Sequence, residues 1–136
     1  MLTQDYMTRH PVSVYADDPL LRVAEVFDIE KFRHLPVVDH TNCLVGILSD
    51  RDMRNIQAAM EILEENISHE AKIQVKDVMT ANVRSVDAGS SLTSAAEIIL
   101  ELRIGALPVT EQGKLVGILS YTDVLRDFVD LMKDRL

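Results

Sequence analysis

Short apolar runs and segments of helical periodicity alternate along the chain in an order that occurs twice. In the first half, an apolar strand at Val12 to Val14 precedes a helix predicted over Leu20 to Lys31. Asp18 stands where an N-cap is expected, with proline after it at the first helical position. Apolar runs at Leu35 to Val38 and Leu44 to Leu48 then predict a hairpin, and a last helix follows it. The predicted order is strand, helix, strand, strand, helix.

The second half repeats this order, and several stretches match letter for letter. Leu44-Val45-Gly46-Ile47-Leu48-Ser49 recurs unchanged at Leu115 to Ser120. The opening Asp5-Tyr6-Met7-Thr8 corresponds to Asp77-Val78-Met79-Thr80. The chain is therefore an internal duplication.

The duplication predicts how the chain divides. The second copy has its own predicted strand, Val83 to Val86, and its own helix start, Ser90-Ser91. Because neither half can easily bury its sheet alone, two layered units should pack together. We predict an α/β fold of two βαββα repeats packed as a pseudo-two-fold pair, with repeat 1 at 1–64, a linker at 65–74 and repeat 2 at 75–136. The acidic stretch before and within the linker is interpreted as an extended closing helix that faces water, the alternative being a partner surface.

Composition narrows the class of function. The 136 residues are 47% hydrophobic, which supports a folded core, but no apolar stretch approaches the roughly 18 residues that span a bilayer. The net charge of −8 and the low aromatic content argue against nucleic-acid binding. The first residues lack a signal-peptide pattern, and the single Cys43 reads as a small core residue. We predict a cytoplasmic protein that binds neither nucleic acid nor membrane.

The strongest candidate site is a motif present in both copies, Gly46-x-x-Ser49-x-x-Asp52 and Gly117-x-x-Ser120-x-x-Asp123. The serine stands where a strand passes into a helix, and a helix N-terminus favours phosphate oxygens. A carboxylate can accept hydrogen bonds from ribose hydroxyls. The alternative is that Ser-x-x-Asp is only a helix cap. The glycine favours a ligand, because it weakens an apolar strand unless something approaches closely.

These motifs resemble the cystathionine-β-synthase (CBS) domain family, whose members usually occur in tandem. The resemblance covers nearly the whole chain and includes His34-Leu35-Pro36-Val37-Val38-Asp39. It implies a disc-like pair with two clefts, and frequent association of two pairs into a flat homodimer. It also implies an adenine nucleotide in the cleft between the repeats as regulatory ligand. By the family's pattern, the aspartates hold ribose and the serines help to hold ribose or phosphate, here at Asp52, Asp123, Ser49 and Ser120.

A nucleotide needs cations for its phosphates, and the two copies differ in this respect. The first copy has Arg33 and His34 before Leu-Pro-Val, and Arg51 inside its motif. The matching residues of the second copy are uncharged: Gly105, Ala106 and Thr122. This asymmetry predicts one stronger anion site, although Arg33 and His34 could form a solvated corner, and Arg51 is expected to make a surface contact on its helix with Asp50 or Asn55 rather than to contact phosphate. By resemblance, adenine is read by the backbone near the first strand of each copy. The expected ligand-binding residues are therefore Ser49, Asp52, Ser120, Asp123, Arg33, His34, His10, Pro11, Val12, Arg51, Asn82, Val83 and Thr122.

No pattern in the sequence supports catalysis. The four histidines lack the spacing of a metal site, and nucleophile and phosphate-loop motifs are absent, so we expect no catalytic residue, catalytic cofactor or metal.

The last helix, predicted over Tyr121 to Leu136, carries more apolar residues than one buried stripe needs, which favours a homodimer over complete burial in the core. We predict a regulatory module that binds AMP, ADP or ATP and signals to a downstream protein. The alternatives are a ligand-free assembly module and a binder of another adenosyl ligand such as S-adenosylmethionine.

Overall fold

The computed structural model describes residues 1–30, 33–55 and 73–135. Most of the predicted linker, and the part of the predicted first closing helix that follows residue 55, lie outside the described residues. The predicted α/β class is confirmed, because strands and helices alternate through both halves. The strands are β1 (Thr8–Arg9), β2 (Val14–Tyr15), β3 (His34–Val38), β4 (Leu44–Ser49), β5 (Thr80–Ala81), β6 (Val86–Asp87), β7 (Ala106–Glu111) and β8 (Lys114–Ser120). The α-helices are α1 (Leu20–Glu30), α2 (described at 50–55), α3 (Leu92–Leu102) and α4 (Tyr121–Lys133).

The chain forms two compact units, each built on one four-stranded sheet. The first unit is Val12–Val83 and contains the sheet β2-β3-β4-β5. The second unit combines Met1–Pro11 with Arg84–Leu136 and contains the sheet β1-β8-β7-β6. Each sheet has a central antiparallel hairpin, a parallel strand on one side and a two-residue antiparallel strand on the other.

Each two-residue antiparallel strand comes from one copy of the repeat and pairs with the hairpin of the other copy. The two copies therefore exchange their opening segments. Strand β1 pairs with β8, so that Arg9 lies opposite Gly117, and β5 pairs with β4, so that Ala81 lies opposite Gly46. Each Met-Thr motif therefore extends the hairpin of the other copy. The compact units change at residues 11 and 83, whereas the linker predicted from the sequence repeat lies at residues 65–74.

Each unit has its own core around its hairpin. Leu35, Leu48 and Val75 are fully buried in the first unit, and Leu107 and Leu119 are fully buried in the second. Burial of a side chain of this size contributes about 1.5–3 kcal/mol. The exchanged segments supply part of this burial, because Val75 begins the short 3₁₀ turn that precedes β5.

Thr3 occupies the place in the second unit that Val75 occupies in the first. It is fully buried, and its backbone N–H donates to the carbonyl of Ser90 at 2.8 Å. Its hydroxyl lies 3.0 Å from the hydroxyl of Ser90. A buried hydroxyl is costly unless it is bonded, and here the bond ties the N-terminal segment to the second unit.

Two local predictions are wrong, for identifiable reasons. Strand pairing begins at Val14 and Val86, later than predicted, because only two residues pair with each parallel neighbour before the chain turns. Asp18 does not cap α1; its carboxylate accepts the backbone N–H of Tyr15 at 2.8 Å and closes the preceding turn. The backbone N–H of Leu20 donates to the carbonyl of Ile73 instead. The predicted cap at Ser91 is confirmed, since its hydroxyl accepts the N–H of Ser94 at 3.1 Å.

Candidate functional site

In the first unit, the hairpin brings the predicted phosphate-binding residues together at one end. His34 begins β3 and lies directly opposite Ser49, the last residue of β4. The carbonyl of the preceding Arg33 accepts the backbone N–H of Asp50 at 2.9 Å, which joins this corner to the start of α2. The Arg33 side chain is exposed and His34 is half-buried. A cation, an imidazole, a hydroxyl and a helix N-terminus therefore share one edge of the unit.

Ser49 and Asp52 form a reciprocal cap at the start of α2. The hydroxyl of Ser49 accepts the backbone N–H of Asp52 at 3.0 Å, and Oδ2 of Asp52 accepts the backbone N–H of Ser49 at 3.2 Å. This is the capping box that the alternative interpretation of Ser-x-x-Asp expects. Both residues are only part-buried. The cap uses Oδ2, so among the described contacts Oδ1 of Asp52 can still accept from a ligand hydroxyl.

The second unit repeats this cap with different neighbours. Ser120 and Asp123 exchange backbone-to-side-chain hydrogen bonds at 3.0 and 3.1 Å. The hydroxyl of Thr122 lies 2.8 Å from that of Ser120, and Arg126 lies 3.6 Å from Oδ1 of Asp123. Ala106 takes the place of His34 opposite Ser120. The second unit thus has the serine–aspartate cap but no counterpart of the Arg33–His34 pair.

The motif glycines are explained by the chain itself. A Cβ placed on Gly46 would lie 2.5 Å from Sδ of Met79 and 2.9 Å from the carbonyl oxygen of Thr80. A Cβ on Gly117 would collide with the side chain of Met7. The inference that these glycines make room for a ligand is therefore wrong, because the methionines of the exchanged segments occupy that space.

The environment of His34 favours its neutral form. Burial lowers the pKa of His34, and the nearby Arg33 adds to this effect. The carboxylates of Asp50 and Asp52 act in the opposite direction without reversing it. A bound phosphate would supply a further negative charge and favour the protonated imidazolium.

The residues expected to read adenine divide between the two units. Val12 belongs to the first unit and precedes β2. Because β2 runs parallel to β3, Val12 lies toward the end of the sheet where His34 begins β3. Asn82 follows β5, and the antiparallel register places it toward the start of β4, away from Ser49. Val83 follows Asn82 as the last residue of this unit.

The second unit shows the same separation. His10 donates its backbone N–H to the carbonyl of Val116 at 3.4 Å, near the start of β8, and Pro11 follows it. Ser120 stands at the far end of that strand. His10 and Asn82 share a left-handed backbone, with φ of 50° and 54°. Within its own unit, neither His10 nor Asn82 therefore lies near the serine–aspartate cap, whereas Val12 lies toward the end of the sheet that carries it.

Arg51 does not form the ion pair expected with Asp50. Arg51 is exposed on α2, and Asp50 pairs with Arg54 at 3.2 Å, one helical turn further on. Side chains four residues apart share a helix face, whereas adjacent ones do not.

The structure also shows a surface cluster that the sequence did not indicate. The imidazole of His40 lies 2.8 Å from the carboxylate of Asp17 and stacks on Tyr15, with ring centroids 4.4 Å apart. The hydrogen bond with Asp17 raises the pKa of His40, and the same bond lowers the pKa of Asp17. The second copy has Asp87 and Gly89 at the positions of Tyr15 and Asp17. Comparison of the two repeats therefore could not indicate this cluster.

Residues 1–30, 33–55 and 73–135 show neither a group of metal ligands nor a helix that could span a membrane. There, no group of three or more His, Cys, Asp or Glu side chains is placed to hold a metal ion. In the same ranges, every helix is too short or too polar to cross a bilayer.

Comparison with known proteins establishes the family. The model of the CBS domain matches residues 4–59 and 75–130, one match for each copy. These matches cover most of the chain, so the chain belongs to the CBS-domain family, as a tandem pair.

Two similar proteins match over nearly their full length. MJ1426 of Methanocaldococcus jannaschii is 27% identical over 95% of this chain and 92% of its own length. CBSX2 of Arabidopsis thaliana, solved in complex with AMP, is 30% identical with a TM-score of 0.82. That match covers 96% of this chain and 98% of CBSX2.

An enzyme also matches, but over a small part of its length. Inosine-5'-monophosphate dehydrogenase of M. jannaschii is 28% identical over 85% of this chain and 21% of the enzyme. The similarity is thus confined to about a fifth of the enzyme.

Proposed function

We propose that this CBS pair is a regulatory module that binds an adenine nucleotide, AMP, ADP or ATP, and signals its occupancy to a partner protein. The observation that carries the proposal is the cationic corner of the first unit, where Arg33 and His34 stand beside the capped start of α2. Its role is binding, and we assign it no catalytic step.

The corner supplies what a phosphate group needs. The guanidinium of Arg33 is a permanent cation, and His34 becomes one when it is protonated. The N-terminal turn of α2 adds the positive end of its dipole. The protein's net charge of −8 does not prevent such binding, because cellular salt screens charges beyond about 8 Å.

The cap supplies what a ribose needs. Oδ1 of Asp52 remains available for a hydroxyl while Oδ2 holds the backbone N–H of Ser49. The two roles are compatible, since an ionised carboxylate can accept several hydrogen bonds. CBSX2, which was solved with AMP, supports adenine as the base.

The two units should contribute unequally. The second unit has the serine–aspartate cap, but Gly105 and Ala106 replace the cationic pair. We therefore assign the stronger site to the first unit. Regulation follows if the ligand prefers one conformation of the pair and a partner protein distinguishes the conformations.

The binding test combines calorimetry and thermal unfolding with AMP, ADP, ATP, adenosine and S-adenosylmethionine. A ligand at 100 times its Kd should stabilise the fold by about 2.7 kcal/mol. Arg33→Ala should weaken binding of the phosphorylated ligands more than that of adenosine, because it removes only the cation. Equal loss for adenosine and ATP would contradict phosphate recognition by this corner.

A ligand-free assembly module is the second candidate. Two observations favour it: the caps account for both serine–aspartate pairs, and Met7 and Met79 account for both glycines. It predicts no thermal shift with any adenosyl ligand at millimolar concentration, while self-association persists. For either candidate, we propose that the module is a cytoplasmic homodimer.

A further inference from the structure

The turn between β2 and α1 holds the stretch of chain that carries the exchanged strand β5. We call this stretch segment 73–81 and the turn, at residues 15–18, the β2–α1 turn. The carbonyl of Asp18 accepts the backbone N–H of Val75 at 3.0 Å, and the carbonyl of Ala16 accepts that of Lys76 at 2.8 Å. Val75 is fully buried, so these two bonds fix the place where segment 73–81 meets the core of the first unit. Both carbonyls can accept them only while the turn keeps this shape.

The tip of the β3–β4 hairpin contacts the same turn through His40. Nε2 of His40 lies 2.8 Å from Oδ2 of Asp17, and the imidazole stacks on Tyr15 with ring centroids 4.4 Å apart and planes at 23°. The backbone adds one bond, since the N–H of Ala16 donates to the carbonyl of Val38 at 3.1 Å. The β2–α1 turn therefore connects the hairpin tip to segment 73–81.

The charges around His40 make this connection sensitive to pH. The hydrogen bond with Asp17 raises the pKa of His40, and the carboxylates of Asp18 on the turn and Asp39 on the hairpin act in the same direction. The pKa of Asp17 is lowered, first by the bond with His40 and further by the cation of Lys76, so Asp17 stays ionised while His40 titrates. The protonated imidazole adds an ion pair to the hydrogen bond, whereas the neutral imidazole can keep only the hydrogen bond.

The second copy holds its own exchanged segment by the same backbone bonds, with other side chains at the positions of this cluster. The N–H of Thr3 donates to the carbonyl of Ser90 at 2.8 Å, and the N–H of Gln4 donates to that of Ala88 at 3.1 Å. The residues at the positions of Tyr15, Asp17 and His40 are Asp87, Gly89 and Gln112. The second copy therefore separates the effect of the cluster from that of the backbone bonds.

We propose that Tyr15, Asp17 and His40 form a pH-sensitive latch, which holds segment 73–81 more tightly when His40 is protonated. The ion pair favours the shape in which the β2–α1 turn accepts both N–H groups of the segment. Because folding raises the pKa of His40, the latch contributes fully below the unfolded pKa and loses its contribution as pH rises through the folded pKa. The latch acts within the first unit and needs no bound nucleotide.

Amide hydrogen exchange, measured by NMR on the full chain, tests the latch. Each rate is divided by the intrinsic rate of an unfolded peptide at the same pH, which leaves the protection of that amide. From about one pH unit below the His40 midpoint to about one above it, the protection of Val75 and Lys76 should fall about two- to fivefold, as expected for an exposed ion pair. Thr3 and Gln4 are the internal reference, because their bonds are equivalent. A ratio between the two pairs of amides that stays constant with pH would refute the latch.

His40→Gln separates the histidine from the other titrating groups. Glutamine keeps a donor for Asp17 but cannot be protonated, and Gln112 stands at this position in the second copy. The ratio should therefore lose its pH dependence in this variant. If the variant keeps the dependence of the wild type, another group causes it and the proposal is wrong.

Asp17→Asn removes the other charge of the latch. At low pH it should give segment 73–81 the lower protection that the wild type shows at high pH. Added salt should also reduce the pH dependence of the wild type, because exposed charges are screened. Asp130→Asn, at an exposed position of the second unit, is the matched control. An equal loss of protection at Val75 in both aspartate variants would overturn the role of Asp17.

Discussion

Met7 packs against the Cα of Gly117, and this contact joins the first segment of the chain to the last strand. The equivalent contact in the other unit joins Met79 to Gly46. The motifs Asp-x-Met-Thr and Leu-Val-Gly-Ile-Leu-Ser are therefore two halves of one packing interaction. Each half is supplied by a different copy of the repeat.

Adding a methyl group to either glycine should destabilise its unit. We expect Gly117→Ala and Gly46→Ala each to lower the free energy of unfolding by about 1–3 kcal/mol, the usual cost of overpacking. Chemical denaturation measures this cost. Gly89→Ala is the control, since its new methyl would meet only the Asp87 carboxylate oxygen at 3.3 Å.

The partner methionines should rescue these variants to different degrees. The three atoms nearest to a methyl on Gly117 all belong to Met7, so Met7→Ala should relieve most of the clash in a double mutant. Near Gly46 the backbone oxygen of Thr80 also intrudes, so Met79→Ala should relieve less. Additive losses in both double-mutant cycles would show that these contacts are not coupled.

The exchanged N-terminal segment should stabilise the second unit selectively. Deletion of Met1–Pro11 removes β1 and the buried Thr3, both of which belong to that unit. Hydrogen exchange should therefore become faster in β7 and β8 before it does so in β3 and β4. Removal of residues 135–136 serves as a control, and equal acceleration in both sheets after the N-terminal deletion would contradict the assignment.

His34 should make stability depend on pH. Its pKa is lower in the folded state, so the unfolded chain binds more protons between the folded and unfolded pKa values. The contribution of His34 is thus fully present above its unfolded pKa and is lost as pH falls through its folded pKa. NMR titration of His34 should show the lowered pKa, and AMP should raise it by placing phosphate nearby. No change in this pKa on saturation with AMP would argue against phosphate contact.

His40 should behave in the opposite way. The hydrogen bond to Asp17 raises the pKa of His40, so its contribution is present below the unfolded pKa and is lost as pH rises through the folded pKa. Asp17→Asn should return this pKa toward its ordinary value in an NMR titration. The titration of His34 should stay unchanged in that variant, which makes the two histidines controls for each other.

Much of the fold could be predicted from the sequence segments that occur in both copies. The hairpins, the α/β class and the proximity of Arg33, His34 and Ser49 could be predicted, because adjacent strands joined by a short turn pair with each other. The exchange of β1 and β5 could not be predicted. A two-residue strand has no periodicity of its own, and two nearly identical hairpins offer it equivalent partners.

The residues of the candidate site could be predicted from the sequence. Whether they cap a helix or bind a ligand could not. Ser49 and Asp52 fit a cap and a ligand site equally well in sequence, because both need an oxygen at the first turn of a helix. The structure shows the cap and assigns the glycines to packing, so the case for a ligand now depends on the cationic corner.

The central claim is that the first unit provides the stronger nucleotide site, and calorimetry on two matched variants tests it most directly. Asp52→Asn and Asp123→Asn each keep an oxygen that can accept the serine N–H, so both folds should survive while the carboxylate charge is lost. We expect Asp52→Asn to raise the Kd for AMP by about tenfold or more, as loss of a charged hydrogen bond does, and Asp123→Asn to change it far less. A larger loss in Asp123→Asn, or unchanged affinity in Asp52→Asn, would contradict the account.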